Sequence, residues 1–248
     1  KRLRPANLGP FDYSREVYSP LLWFSEGFTS YYEGLILRRA GCIGTREYLD
    51  EMGREIRRLT LSPGRLHQSL EESSFDTWIK LYQPNENAPN CQMSYYEKGE
   101  LVGMCLDLEL RHRTKGRRSL DDVMRLLYGE WARRGKGFPE SEFRRACERI
   151  AGSDLGNFFR DYVDGVVDVP WNRFLGHAGL ELHREPRKPE AGEQPRKHKP
   201  WLGVNVQKTG SSLTISTVIE GGPAWKAGLS ARDEIVALDG LKLNPDEF

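Results

Sequence analysis

Two short strings carry most of the side chains in this sequence that are able to do chemistry. The first is Leu22-Trp23-Phe24-Ser25-Glu26-Gly27-Phe28-Thr29-Ser30-Tyr31-Tyr32-Glu33. Ser25 reads as a helix N-cap, which places Glu26 in the first turn, where the helix dipole favours an ionised carboxylate. An ionised glutamate there can ligate a metal, or it can merely complement the dipole. Glu33 lies on the same face and reads either as a group that orients a ligand or as half of a surface pair. The second string is Ser94-Tyr95-Tyr96-Glu97-Lys98-Gly99. Ser94 and Glu97 form an S-x-x-E capping box, which assigns Glu97 to the helix end rather than to chemistry. Tyr95 and Tyr96 are then either core aromatics or phenol donors.

Several common chemistries are not written here. The sequence contains no H-E-x-x-H, G-x-S-x-G, G-x-x-x-x-G-K-[ST] or G-x-G-x-x-G. Its five histidines (His67, His112, His177, His183, His198) include no pair at the i, i+3 or i+4 spacing that would join two ligands on one helix face. They read as surface or linker residues. Cys42, Cys91, Cys105 and Cys147 form no C-x-x-C pair, so neither a zinc ribbon nor a disulfide framework is indicated. Lys+Arg 37 against Asp+Glu 36 gives a net charge of +1, without the basic excess of a nucleic-acid binder. The basic stretch 111–118 lacks interleaved aromatics and reads as a solvated loop between helices. No apolar run reaches the ~18 residues of a membrane span.

The elements that position these strings follow from hydrophobic periodicity. Leu155, Phe158, Phe159, Tyr162 and Val163 repeat at helical spacing over 153–164 behind Ser153, and Phe143, Ala146, Cys147 and Ile150 do so over 139–150 behind Pro139. Ser119 and Asp122 open a helix that carries Leu120, Val123, Leu127 and Trp131. The apolar run behind Ser94 extends through Leu110, and two earlier helices are predicted over about 25–40 and 45–59. Residues 184–200 are rich in proline and charge and read as a linker. Beyond it the texture becomes β, with strands predicted over 202–207, 212–218 and 234–238 and a short helix near 224–228. The fold class is therefore mostly α, with a helical region over 1–183 followed by a small β-rich module over 201–248 of the 248 residues.

The string from Trp23 to Glu33 resembles the third-ligand helix of gluzincin metallopeptidases, specifically the glycyl aminopeptidase family. The resemblance extends through Lys1-Arg2-Leu3-Arg4-Pro5, Glu72-Ser73-Ser74-Phe75-Asp76-Thr77-Trp78 and Asn85-Glu86-Asn87. It implies a zinc cofactor with Glu26 as a metal ligand and Glu33 close behind it. In such enzymes an H-E-x-x-H helix supplies two histidines and the general base, and it is expected to precede Lys1. The tyrosine before E-K-G in related enzymes donates to the oxyanion, which places that role on Tyr96. The implied activity is release of N-terminal residues from peptide substrates, with a preference for glycine. This chain, without the H-E-x-x-H, is expected to be inactive alone and not to hold stoichiometric zinc.

The module after the linker resembles a PDZ domain. Trp201-Leu202-Gly203-Val204 matches the loop that receives a peptide's terminal carboxylate, so Leu202, Gly203 and Val204 are the implied peptide-binding residues. Gly221-Gly222-Pro223-Ala224-Trp225-Lys226-Ala227-Gly228-Leu229 and the string from Asp233 to Gly240 match the helix and strand that follow. The domain is expected to be partial, because little follows Gly240. Expected partners are thus a peptide substrate and a C-terminal peptide, with neither nucleic acid nor a membrane span. The rival from another class is a non-enzymatic helical scaffold that presents a PDZ-type peptide binder.

Overall fold

The computed structural model describes residues 2–184 and 201–243. They fall into two compact units. One comprises 1–83 and 91–182, and the other gathers 84–90 with the described residues from His183 onward. Of the linker predicted over 184–200, only Arg184 lies among the described residues.

In the first unit a π-helical turn, Trp23–Gly27, runs directly into α1, Phe28–Arg39. Then come α2 (Thr45–Leu61), α3 (Leu70–Phe75) and, after the single turn α4 (Ala88–Cys91), of which Ala88–Asn90 belong to the second unit, α5 (Tyr95–Arg113). The helices α6 (Leu120–Glu130), α7 (Glu142–Ala151), α8 (Gly156–Tyr162) and α9 (Trp171–Leu175) complete it. The mostly α reading is borne out. Two helix starts differ from expectation, and a third differs in half of its capping box. Ser25 does not cap, because its N–H already donates to Leu21 O at 3.2 Å inside the π turn. Ser153 instead accepts from the Arg113 guanidinium at 2.9 Å, and α8 begins after Leu155. Ser94 does cap α5, accepting from Tyr96 N and Glu97 N, while the Glu97 carboxylate turns to Arg58 at 3.6 Å.

The centre of this unit is α5. Leu101, Val102, Leu106 and Leu110 are fully buried on different sides of it, as expected of a helix surrounded by others. Leu120, Val123 and Leu127 of α6 recur at i, i+3 and i+7, and each is fully buried. Phe143 of α7 packs against Trp23, Phe24, Phe28 and Phe159. A buried carboxylate, Asp107, ties three helices together. It accepts from Tyr31 Oη at 2.9 Å, Arg111 Nε at 3.0 Å and the Leu120 amide at 2.7 Å. Three donors satisfy a buried charge that would otherwise be costly. The basic stretch is likewise used internally: Arg113 bonds Glu109 and Asp154 O, and Arg118 pairs with Asp122.

The approach of the π turn to α5 is set by glycine. A Cβ on Gly27 would sit 2.6 Å from the backbone of Gly99, and one on Gly99 would sit 3.0 Å from Trp23 O. One turn along, a Cβ on Gly103 would meet the Phe28 ring at 2.9 Å. The two segments therefore cross backbone to backbone, at the glycines that end Glu26-Gly27 and Glu97-Lys98-Gly99.

The second unit is built on a hairpin of β1 (Val204–Thr209) and β2 (Ser212–Val218), antiparallel with a register shift between Asn205 and Val206. The short helix α10 (Pro223–Lys226) and the two-residue strands β3 (Ala237–Leu238) and β4 (Leu241–Lys242) follow. On its other side β2 meets residues 232–235, through Ile215 N to Asp233 O at 2.8 Å and Ile235 N to Leu213 O at 2.8 Å. Ile215, Val218 and Ala224 form the small core. Composition does not change at 84–90, so a division near 183 assigns that segment to the helical part, yet it is stitched into this unit. The Asn90 side chain donates to Val218 O at 2.7 Å and accepts from Glu220 N at 2.9 Å.

Two stability outcomes follow from this packing. Gly27→Ala should destabilise by about 1–3 kcal/mol in urea unfolding, since overpacking exceeds the helix-propensity gain. Gly53→Ala in α2, with nothing within 4 Å of the added methyl, should instead be stabilising. Equal effects at both sites would contradict the close crossing. Lys98 is 2% exposed, and its Nζ finds no hydrogen-bond partner. Burial lowers its pKa from 10.5 to about 8, with Asp168 opposing and Arg65 adding to the drop. Below about pH 8 the folded state bears the full cost of the buried charge. Between the two values the unfolded chain binds more protons, so stability rises with pH. Lys98→Met should gain roughly 1–3 kcal/mol at pH 7 and lose that alkaline rise. A pH-stability curve unchanged in the variant would count against it.

Candidate active site

A cleft of about 620 Å³ opens along the first unit, lined by the loop 11–17, by Thr77, Trp78 and Tyr82, and by Glu26, Tyr95 and Tyr96. Glu26 reaches it from the π turn. Such turns widen the helix by one residue and recur at functional sites. Tyr96 reaches it from the first turn of α5, three residues before the glycine of the crossing. The glycine contact thus brings Glu26 and Tyr96 to one wall across 69 intervening residues. Tyr96 is 37% exposed to the cleft, whereas Tyr95 is 2% exposed. The core-aromatic reading therefore holds for Tyr95 and fails for Tyr96. Partial burial raises the Tyr96 pKa, and the nearby Glu26 charge raises it further, so the phenol stays protonated as a donor at neutral pH.

The cleft is aromatic and acidic. Trp78 and Tyr82 meet edge to face at 5.9 Å, and Trp78 Nε1 donates to Val17 O at 3.2 Å. Asp12 pairs with Arg15 at 3.0 Å, and hydrogen bonds from Ser14 hold its carboxyl below its ordinary range. Glu16 and Glu26 add two further carboxylates to the lining.

Glu33 is not in this cleft. It lines a neighbouring cavity of about 310 Å³ together with Glu51, Glu55, Glu97, Glu100 and Arg58, and Tyr96 is the wall between the two. Seven residues beyond Glu26, it has turned from the cleft to the α2 side. Burial pushes Glu100 up to about 7, and Glu55, Glu51 and Glu33 add to the rise.

The metal that the resemblance implies can be tested against these donors. A catalytic zinc takes three protein ligands. Among the described residues no three His, Cys, Asp or Glu side chains converge to hold a metal ion. Glu26 is a suitable carboxylate in a polar cleft, but the donor set here does not by itself fit a catalytic zinc.

In the second unit the predicted peptide loop is well defined. Gly203 has φ of +79°, the left-handed region that glycine tolerates. Leu202 O accepts from Ala224 N at 2.9 Å and Gly203 O from Ile219 N at 2.8 Å, which fixes the loop against α10. Among the described residues β1 pairs with β2 alone. Val204 begins β1 opposite Val218.

Sequence reasoning did not find Tyr82 or Glu100. Tyr82 lies four residues after Trp78, a spacing that stacks rings on a helical turn and offered a signal. Glu100 offered none, because its neighbours Glu51 and Glu55 come from α2.

Comparison with known proteins agrees with both sequence resemblances. Residues 1–102 match the sequence model of the M61 glycyl aminopeptidase family, and residues 214–247 match that of the PDZ domain. A search of curated proteins gives no match. The crystal structure of an aminopeptidase N family protein from Idiomarina loihiensis is similar over 100% of this chain, at 31% identity and a TM-score of 0.84. The chain spans 43% of that protein. The helical region is thus similar to a peptidase family, and the C-terminal unit to a PDZ domain.

The acidic cavity generates a pH dependence of known sign. Glu100 ionises near 7 when folded against an ordinary 4.5. Between those values the folded state holds the extra proton, so this group's contribution to stability falls as pH rises. Glu100→Gln should raise Tm at pH 7.5 and flatten the decline between pH 5 and 7. Thermal melts across that range check it, and a variant less stable at pH 7.5 would contradict it.

Proposed function

We propose that this chain contributes part of the catalytic site of a zinc aminopeptidase, with Glu26 as one zinc ligand and Tyr96 as the oxyanion donor. The observation that carries the reading is that Glu26 and Tyr96 line one cleft although they lie far apart in sequence. When bound, zinc would supply a polarised water at neutral pH. The chain's own residues then have separable tasks. Glu26 offers a carboxylate to the metal from a π turn held rigidly by the Gly27–Gly99 crossing. Tyr96, protonated, donates toward the oxygen on which negative charge develops as the tetrahedral intermediate forms. That interaction strengthens only in the transition state, and removing one such donor costs about 3–4 kcal/mol.

Release of N-terminal residues accords with the charge of the cleft. A substrate's α-ammonium is favoured beside Asp12 and Glu16, and the aromatic wall of Trp78 and Tyr82 offers faces to the peptide and to the cation. A preference for glycine rests on the family resemblance. Two histidines and a general base are expected from an H-E-x-x-H helix, so this chain alone is expected to be inactive. The C-terminal unit is read as a peptide binder in which β1 accepts an added strand and Leu202, Gly203 and Val204 receive the terminal carboxylate.

The test uses the peptidase that carries this sequence together with H-E-x-x-H. Tyr96→Phe should lower kcat about 100- to 1,000-fold with zinc retained. Glu26→Gln should lower zinc content as well as activity. In this chain alone, metal analysis after dialysis should find well under one zinc. Wild-type kinetics in Tyr96→Phe, or one tightly held zinc in the chain alone, would overturn the reading.

A further inference from the structure

A separate cavity of the helical unit, of about 430 Å³, shares no lining residue with the cleft of Glu26 and Tyr96. Its floor is apolar and buried, formed by Leu21, Trp23, Phe143 and Phe159. Trp23 and Phe159 each meet Phe143 edge to face, at 5.5 and 6.0 Å. The Trp23 side chain is 1% exposed, and its indole N–H has no hydrogen-bond partner. Three carboxylates from three separate segments complete the lining: half-buried Glu71 on α3, exposed Glu140 ahead of α7 and exposed Asp164 beyond α8. Among the described residues none of these three side chains has a hydrogen-bond or ion-pair partner. Elsewhere in the unit Glu72 is held by Lys80, Glu109 by Arg113 and Glu130 by Arg149. Glu71 lies in the first turn of α3, where the helix dipole favours a negative charge. Asp164 follows the C-terminal end of α8, where the dipole opposes one. Burial raises the Glu71 pKa, and the Asp164 and Glu140 charges raise it further. Burial also raises Asp164, with Arg144 opposing. The Arg144 guanidinium lies 5.9 Å from the centre of the Phe159 ring, but it is bonded to Glu148 at 2.9 Å and reaches Asp154 at 3.5 Å. The cavity therefore keeps an excess of negative charge around an aromatic floor.

We propose that this cavity is a binding site for the N-terminus of a peptide whose first side chain is aromatic or branched. The α-ammonium is placed among Glu71, Glu140 and Asp164, whose mutual repulsion it relieves, and the side chain packs on Trp23, Phe143 and Phe159. Charge selects the ammonium, because an anionic ligand would add to the excess already there. The apolar floor selects against a bare hydrated cation, which has no surface to bury. An ammonium close to aromatic faces gains further, as the Arg144 guanidinium does over Phe159. Trp23 separates a peptide from a simple amine. An unpaired buried N–H is costly, and an indole can only donate. The first carbonyl of a peptide, next to its α-carbon, brings an acceptor in with the ammonium. The site does not depend on the roles given above to Glu26 and Tyr96.

The experiment is a titration of the 248-residue chain, labelled with ¹⁵N-tryptophan and followed at the Trp23 indole resonance by NMR. Phenylalanine amide should shift that resonance saturably at millimolar concentration. N-acetylphenylalanine amide lacks the charge and glycine amide lacks the apolar body, so each should bind about tenfold more weakly. Phenethylamine keeps the ring and the ammonium without the carbonyl, and should bind about 3- to 10-fold more weakly. The double variant Glu71→Gln, Asp164→Asn should weaken phenylalanine amide about tenfold and leave N-acetylphenylalanine amide unchanged. Neither carboxylate has a partner to lose, so the variant should melt no lower than the wild type. The probe series in the wild-type chain decides the matter even if the variant does not fold. The proposal is overturned if the Trp23 indole does not respond, or if only the Trp78 indole of the cleft does. Equal binding of N-acetylphenylalanine amide would mark a merely apolar cavity, and phenethylamine binding as tightly as the amide would mark an amine site. A double variant that binds phenylalanine amide normally, or melts well below the wild type, would likewise overturn it.

Discussion

The contact between Gly27 and Gly99 is the constraint on which the site depends. Two backbones approach so closely that a β-carbon on Gly27 would overlap the Gly99 backbone at 2.6 Å, and one on Gly99 would press on Trp23 O at 3.0 Å. That approach fixes the π turn against the first turns of α5, and everything chemical on this wall hangs from those two segments. Glu26 immediately precedes one glycine, and Tyr96 lies three residues before the other. A side chain at either crossing point would wedge the segments apart and move carboxylate and phenol out of a common cleft. Glycine is unfavourable inside helices by about 1 kcal/mol each. Here that cost is offset by the burial of Trp23, Phe28 and the apolar length of α5 around the crossing.

A second layer holds this crossing in place. Asp107 gathers Tyr31, Arg111 and the start of α6 one face further along α5. Aromatic rings from the π turn, α1, α7 and α8 pack edge to face around Phe143. These contacts are internal to the helical unit, so the cleft wall has a rigid backing while its open side is lined by the 11–17 loop. The strain of the arrangement is concentrated in charge. Lys98 is buried without a hydrogen-bond partner, and Glu100 sits among other carboxylates just behind Tyr96. Both lie within the turn that carries the phenol.

Much of this was legible in the sequence because it is periodic or local. The helices of 139–164 declare themselves through repeating apolar residues, and Ser119 and Asp122 mark a helix start, which the structure closes as a capping box. The pair Glu26 and Tyr96 came from resemblance, since no spacing rule links residues so far apart. What was not legible is tertiary. Ser25 looks like a cap by composition but lies within a π turn, which no local propensity announces. Glu33 shares a face with Glu26 on an ideal helix, yet it lines a different cavity. Asn90 sits in a segment without any change of composition, and only its bonds to Val218 and Glu220 reveal its place in the C-terminal unit.

The central claim is that Glu26 and Tyr96 act on one reacting centre. The most direct measurement is a crystal structure of the zinc-loaded peptidase that carries this sequence, bound to a tetrahedral phosphinate analogue of its substrate. The account predicts a Glu26 carboxylate oxygen about 2.0–2.2 Å from zinc and the Tyr96 hydroxyl about 2.7–3.1 Å from a phosphinate oxygen. Glu26 turned away from the metal, or Tyr96 bonded only to protein with the phosphinate oxygen held by another donor, would contradict it.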